Sequence, residues 1–133
     1  MPYLNVDDGF PDHPKIDALS DGAFRLHVAG KCYAAKTLSD GIVPVARVPR
    51  LKPGYKVQQL NELLRAEVWH KGGEGCGTEQ CPTGAPGQYV IHDYLEWNKP
   101  REWWEAERAR KAKNKADWVA RKNREKNQEG DEE

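Results

Sequence analysis

Apolar residues in SDGAFRLHVAGKCYAAKT, residues 20 to 37, recur at helical spacing on two faces. Phe24, Val28, Cys32 and Ala35 fall on one stripe, and Leu26, Ala29 and Tyr33 on nearly the opposite one. Ser20 stands just ahead of the pattern, where a hydroxyl can accept from a first-turn N–H, so it is the expected N-cap. A helix apolar on two faces belongs in the middle of a fold. Cys32, on the first stripe, reads as a core residue because free cysteine is among the most buried residue types.

The pattern changes at SDGIVP, residues 39 to 44, where Asp-Gly supplies a turn and β-branched Ile42 and Val43 a very short strand. Pro44 can open a short helix over PVARV, which Pro49 ends. In GYKVQQLNELLRA, residues Val57, Leu60, Leu63 and Leu64 gather on one side of a helix running from Tyr55 to Ala66. Gln58, Glu62 and Arg65 point the other way, with Gln59 on the flank. AEVWH, residues 66 to 70, and QYVIHDY, residues 88 to 94, are β-rich runs separated by a Gly- and Pro-rich loop from Lys71 to Gly87, so they read as a hairpin with a long tip.

The resulting order is helix, short strand, helix, helix, strand, long loop, strand. It predicts an α+β fold, a winged helix-turn-helix with a long β-hairpin wing, over residues 14–98. Residues 1–13 mix Pro, Gly and Asp and read as an N-terminal arm that orders on contact. After Lys99-Pro100 the chain is rich in helix formers, which predicts a basic helical extension over 99–126 and a disordered acidic tail over 127–133.

Composition sharpens this division. The chain has 133 residues, 32% charged and 38% hydrophobic, with a mean hydropathy of -0.92, enough for one modest core and a solvated remainder. Its formal net charge of zero hides opposed blocks: Lys99 to Lys126 carry eleven Lys and Arg against five Asp and Glu. That segment is the one suited to an anionic partner. No apolar run approaches the ~20 residues of a membrane span, and the N-terminus lacks the pattern of a signal peptide. The expectation is a soluble, cytoplasmic protein. Its three cysteines argue against a disulfide framework.

Candidate chemistry concentrates in and beside the hairpin loop. His70, Cys76, Cys81 and His92 offer two imidazoles and two thiolates, a usual donor mixture for a structural zinc. The two strands can bring the histidines to one end of the ladder while the loop folds its cysteines back. One zinc would also account for so long a loop, since structureless loops beyond ~12–15 residues are uncommon in compact domains. The alternative is a mobile loop with solvent-facing thiols.

For nucleic acid, the helix from Tyr55 to Ala66 occupies the recognition-helix position. Gln58, Gln59 and Arg65, with flanking Arg47, Arg50, Lys52 and Lys56, are the residues suited to base or phosphate contacts. Glu62 in the middle of that face opposes phosphate. The extension adds Arg108, Arg110, Lys111, Lys113 and Lys115, whose contribution needs only cations within reach of phosphates, although Glu105 and Glu107 can pair with them along the helix. No phosphate loop, nucleophile elbow or His-Glu-x-x-His motif occurs, so the reading is not an enzyme.

ALSDGAFRLHVAGKCYAAKTLSDGIVP, LNELLRAEVWH and QYVIHDYLEWN, followed by a proline and a charged helix, resemble the N-terminal winged-helix domain of replication-initiation (replisome organizer) proteins of actinobacterial phages. The resemblance covers residues 12 to about 112. It implies duplex-DNA binding in replication initiation or its regulation, within a bacterial host's cytoplasm, together with replication or transcription proteins. It also implies a histidine and cysteine cluster after the Trp; here Glu74 sits where such relatives would place a second histidine, and the cysteines are spaced C-x4-C. The rival readings are a phage transcription regulator or excision factor, an interaction module that binds a host protein and no nucleic acid, and a metal-dependent nuclease with an open site.

Overall fold

The computed structural model describes residues 3–131 other than 75 and 77, with the side chains of 129–131 excepted. Residues 1, 2, 132 and 133, which belong to the expected arm and acidic tail, lie outside the described residues. The chain divides into two units, Met1–Arg101 and Glu102–Glu133.

The first unit is α+β. Short helix α1 (Pro14–Asp17) precedes the long α2 (Asp21–Thr37). Ser20 caps α2 as its position predicts, its Oγ accepting from the Ala23 N–H at 3.2 Å. The helix ends in a left-handed Leu38, and Asp40 and Gly41 also take positive φ to reverse the chain into β1 (Ile42–Pro44). Gly41 is needed there for space as well: a Cβ would come within 2.7 Å of the Tyr94 Cβ.

The short helix expected over PVARV forms as 3-10 turns over Val45–Arg50, which run through Pro49 instead of ending there. Pro49, inside this segment, has no N–H for an i to i−4 bond, which favours the tighter and shorter helix. Helix α3 (Val57–Arg65) follows, with Leu60 and Leu63 buried and Leu64 half-buried. Val57, expected on the same buried side, is 54% exposed at the helix's first turn.

Strands β2 (Trp69–Lys71) and β3 (Gln88–Ile91) complete a three-stranded antiparallel sheet of order β1-β3-β2. The register pairs Val43 with Tyr89 and Trp69 with Ile91. Both hairpin strands are shorter than the β-rich runs that suggest them. After Ile91 the chain turns through a left-handed Asp93 into α4 (Tyr94–Trp97), which buries Tyr94. This order and sheet are compatible with a winged helix.

The core lies between α2, α3 and the sheet. Trp69, Leu26, Leu63, Ile91, Val43, Val48 and Val90 are its largest fully buried side chains. Burying each of the aliphatic ones contributes about 1.5–3 kcal/mol. The buried residues of α2 are Ala23, Leu26, His27, Gly30, Ala34 and Ala35, and the Trp69 indole lies directly on Gly30. Cys32, expected in the core, is exposed, because two residues beyond Gly30 a helix has turned about 200° away. Residues before α1 also lie on this unit. Leu4 and Phe10 pack against the core, and the Asn5 N–H donates to Asn98 Oδ1 at 2.8 Å.

The second unit is the greater part of α5 (Arg101–Asp131). The helix runs past Lys126, where the sequence reading begins a disordered tail; no proline interrupts it. No helix among the described residues is long and apolar enough to cross a membrane.

Candidate metal centre and nucleic-acid face

His70 lies in β2 opposite Val90. His92, two residues beyond Val90, extends the ladder by donating its N–H to the Val68 carbonyl at 2.9 Å. Strand alternation therefore puts both imidazoles on one face, as a diagonal pair. His70 Nε2 and His92 Nδ1 stand 2.8 Å apart.

The loop that separates them is folded back by its own backbone. Gly72 N–H donates to Gln88 O at 2.7 Å, and Gly73 N–H to Thr83 O at 2.8 Å. Gly72 cannot be any other residue at this approach, since a Cβ would sit 2.0 Å from the Ala85 oxygen. The fold-back delivers Cys81 into a buried position, with its N–H on the Thr78 carbonyl at 3.2 Å, and leaves Cys76 exposed.

One donor atom each from His70, Cys76, Cys81 and His92 lies within 4.8 Å of the other three. A tetrahedral zinc with bonds of roughly 2.0–2.1 Å to nitrogen and 2.3 Å to sulfur spans edges of about 3.3 Å between nitrogens and about 3.7 Å between sulfurs. The imidazole nitrogens would spread by about half an ångström and the widest separation close by up to about 1 Å, so the group is compatible with a structural zinc site. Glu74 is exposed and stands outside the group.

Two further residues, which the sequence reading does not assign as supports, hold the donors. Asp93 Oδ2 is 3.0 Å from His92 Nε2, and Asp93 Oδ1 accepts from Thr78 Oγ1 at 2.8 Å. Thr78 Oγ1 in turn lies 3.5 Å from Cys76 Sγ. A carboxylate on the far nitrogen of a histidine fixes its tautomer and leaves the near nitrogen free to ligate. The His-Asp dipeptide at 92–93 was the only sequence signal for this, and it needed the left-handed turn at Asp93 to become a contact.

Burial, then the neighbouring His92, pushes His70 below the usual imidazole range, with Lys15 adding to this and Glu67 and Asp93 opposing it. Burial pushes the Cys81 thiol up to about 11, reinforced by the Cys76 thiol. At Cys76 burial acts upward, but hydrogen bonds from Thr78 and Cys81 outweigh it and leave the thiol below its usual value. A divalent cation reverses this balance by favouring both thiolates.

The residues expected to meet DNA divide into groups. Gln58 and Arg65 are exposed on α3, and Lys56 stands exposed at its N-cap. Gln59 is engaged instead: its Oε1 accepts from the Lys56 N–H at 3.1 Å and from Lys52 Nζ at 3.2 Å, and its amide packs on Gly22. Lys52 also donates to the Gly54 carbonyl at 3.2 Å. Arg47 and Arg50 are exposed on the 3-10 turns, with the Arg47 guanidinium 5.4 Å from the Tyr33 ring.

Glu62 does not face outward as expected. It accepts from Ser20 N–H at 2.6 Å and from Ser20 Oγ at 2.7 Å, tying α3 to the start of α2. Asn61, which the sequence reading passes over, joins Gln58 and Arg65 on the exposed face.

In the second unit Arg108, Arg110, Lys111, Lys113 and Lys115 are all exposed on α5. Arg110 pairs with Glu107 one turn earlier, which holds the Glu107 carboxyl below its usual range through that hydrogen bond. Compared with known proteins, the chain matches no family model, no curated protein and no solved structure.

Proposed function

We propose that this protein is a non-catalytic, winged-helix DNA-binding protein that acts in phage-type replication initiation or its regulation, with one structural zinc held in its wing by His70, Cys76, Cys81 and His92. The observation that carries the DNA reading is the outward face of α3. Gln58, Asn61 and Arg65 recur there at i, i+3 and i+7, all exposed, and the helix's only acidic residue, Glu62, is turned away onto Ser20. A face of amides and one guanidinium without a carboxylate suits the floor of a major groove.

The exposed cations of Arg47, Arg50 and Lys56 flank this helix and suit phosphates on either side. The basic run of α5 adds a second, sequence-independent set. The resemblance of the ALSDGAFRLHVAGK, LNELLRAEVWH and QYVIHDYLEWN phrases to phage replication initiators supplies the biological setting. A transcription regulator or excision factor with the same domain would use the same face.

Zinc here is structural. Four protein donors fill a tetrahedron and leave no position for water, so the cation would stiffen the loop between β2 and β3 rather than activate a nucleophile. A stiff wing loses less entropy when it settles beside a groove.

The deciding experiment is duplex binding by the full chain and by residues 1–98, each across a salt series. The expected result is an affinity that falls steeply with salt for both, with a larger slope for the full chain. No retardation of any duplex at low salt, with the protein folded and metal-loaded, sinks the DNA reading and leaves the protein-binding one, for which the half-exposed Trp97 is the available anchor.

A further inference from the structure

A cavity of about 330 Å³ is lined by residues of α2, by the segment around Phe10 and by the chain about Tyr94. Two of its polar lining residues, His27 and Lys31, stand one helical turn apart on α2. His27 is only 2% exposed. Its Nδ1 accepts from the Trp69 indole N–H at 2.9 Å, and an indole nitrogen can only donate, so the imidazole's single proton sits on Nε2.

That Nε2–H has no acceptor among the described residues. Every fully enclosed side-chain nitrogen or oxygen among them does have a partner, so Nε2 opens onto the cavity that His27 lines. Beside it, the Lys31 ammonium stands 4.0 Å over the Phe10 ring, and no described carboxylate pairs with it. Burial pulls this ammonium below the usual lysine range. Both donors thus belong to the lining of one cavity, partly desolvated, without a hydrogen-bond acceptor among the described residues.

The rest of the lining mixes apolar, acidic and other polar residues, among them the buried Asn98. Ile16, Val68 and Tyr94 are buried walls. Of the carboxylates around the cavity, Asp93 is bonded to His92 and Thr78, and Glu67 lies 4.0 Å from Lys15. Asp7 and Glu96 occupy exposed positions, where water and salt screen them.

We propose that this cavity binds a small organic anion, its acid group accepting from His27 Nε2–H and Lys31 Nζ and its flat apolar body lying among Phe10, Ile16, Val68 and Tyr94. The volume suits a molecule of one ring, at the lower end of ligand pockets. The shared chemistry is an acid group on a compact apolar body, and a carboxylate and a phosphate both meet it. This site is separate from the α3 face, and of the four candidate metal donors only His92 shares its lining, so it stands or falls independently of DNA binding.

The test uses the full chain with three probes of one shape: benzoate, phenyl phosphate and neutral benzamide. Binding is read by calorimetry and by the His27 Nε2 resonance in long-range proton–nitrogen spectra. Expected are saturable binding of benzoate or phenyl phosphate at or below about 1 mM, benzamide at least about tenfold weaker, and a shifted His27 signal. Whichever acid binds better identifies the source.

Lys31→Met is expected to weaken the acid probe about tenfold or more while leaving the benzamide affinity within about twofold. Lys31→Gln serves if Lys31→Met does not fold. No binding of either acid up to about 10 mM overturns the proposal. So does binding that leaves His27 unshifted or is indifferent to the loss of the Lys31 charge.

Discussion

The indole of Trp69 is fixed twice by one helix: its N–H donates to His27 Nδ1 at 2.9 Å, and its ring edge lies where a Cβ on Gly30 would be. The bond holds His27 neutral, and burial, with Lys31 nearby, pushes its pKa down to about 3. A histidine whose folded pKa is depressed leaves the unfolded chain binding more protons between that value and 6.5. His27's contribution to stability is therefore complete above about pH 6.5 and is lost as pH falls toward about 3. Urea unfolding should show a loss of about 2 kcal/mol from this residue between about pH 7 and pH 5, and His27→Gln should remove that part of the slope. Equal slopes in the two proteins would contradict the assignment.

Gly30→Ala tests the other half of the contact. Alanine favours a helix by about 1 kcal/mol over glycine, yet here its methyl would meet Trp69 Cζ2 at 2.5 Å. Overpacking is expected to win, for a net loss of about 1–2 kcal/mol and a changed near-ultraviolet Trp signal. A variant more stable than the parent would show that the indole can move aside.

The metal centre predicts close to one zinc per chain by elemental analysis, and a melting temperature that falls when a chelator removes it. Cys81→Ser should abolish stoichiometric zinc. Asp93→Asn should keep the metal but weaken it by about 10–100-fold, because Asp93 acts through His92. Purified protein with no zinc, and with both loop cysteines alkylated at the rate of free thiols, rules the centre out.

On α3 the predictions pull in opposite directions. Glu62→Gln breaks a charge-assisted cap on Ser20 and should cost about 1–2 kcal/mol of stability, with DNA affinity unchanged or higher. Arg65→Ala, at an exposed position, should leave stability within about 0.5 kcal/mol and lower the salt slope of duplex binding by about 1. If Arg65→Ala binds DNA as the parent does while Glu62→Gln does not, the contact face is misplaced.

Replacing Lys111, Lys113 and Lys115 together by Gln should reduce the salt slope further without altering the melting of the first unit, which is separate in the chain. The readout is the difference in slope between the triple variant and residues 1–98. An unchanged slope in the triple variant assigns the extension to another partner.

Much of the local structure could be read from residues 20 to 91. Ser20 announces its cap, Asp40-Gly41 its turn, and the two β-rich runs the hairpin, because each rests on backbone chemistry confined to a few neighbouring residues. The four candidate donors that the structure brings together were legible too, since two Cys in the loop and a His on either side of it offer sulfur and nitrogen.

What the tertiary structure alone decided is which face of each helix packs and what its polar groups meet. Periodicity offered α2 two apolar faces, and the packing of Trp69 on Gly30 buries the side between them, taking Leu26 from one and Ala35 from the other and leaving Cys32 to solvent. Glu62 looked like an outward charge until Ser20, 42 residues away, received it; His27 looked unpartnered until Trp69, at the same separation, did. Asp93 became a support for His92 through a left-handed turn where the sequence continued a strand. Helical and strand periods record the angle of a side chain about its own element. The partner it finds there depends on where distant elements are packed, which no local spacing contains.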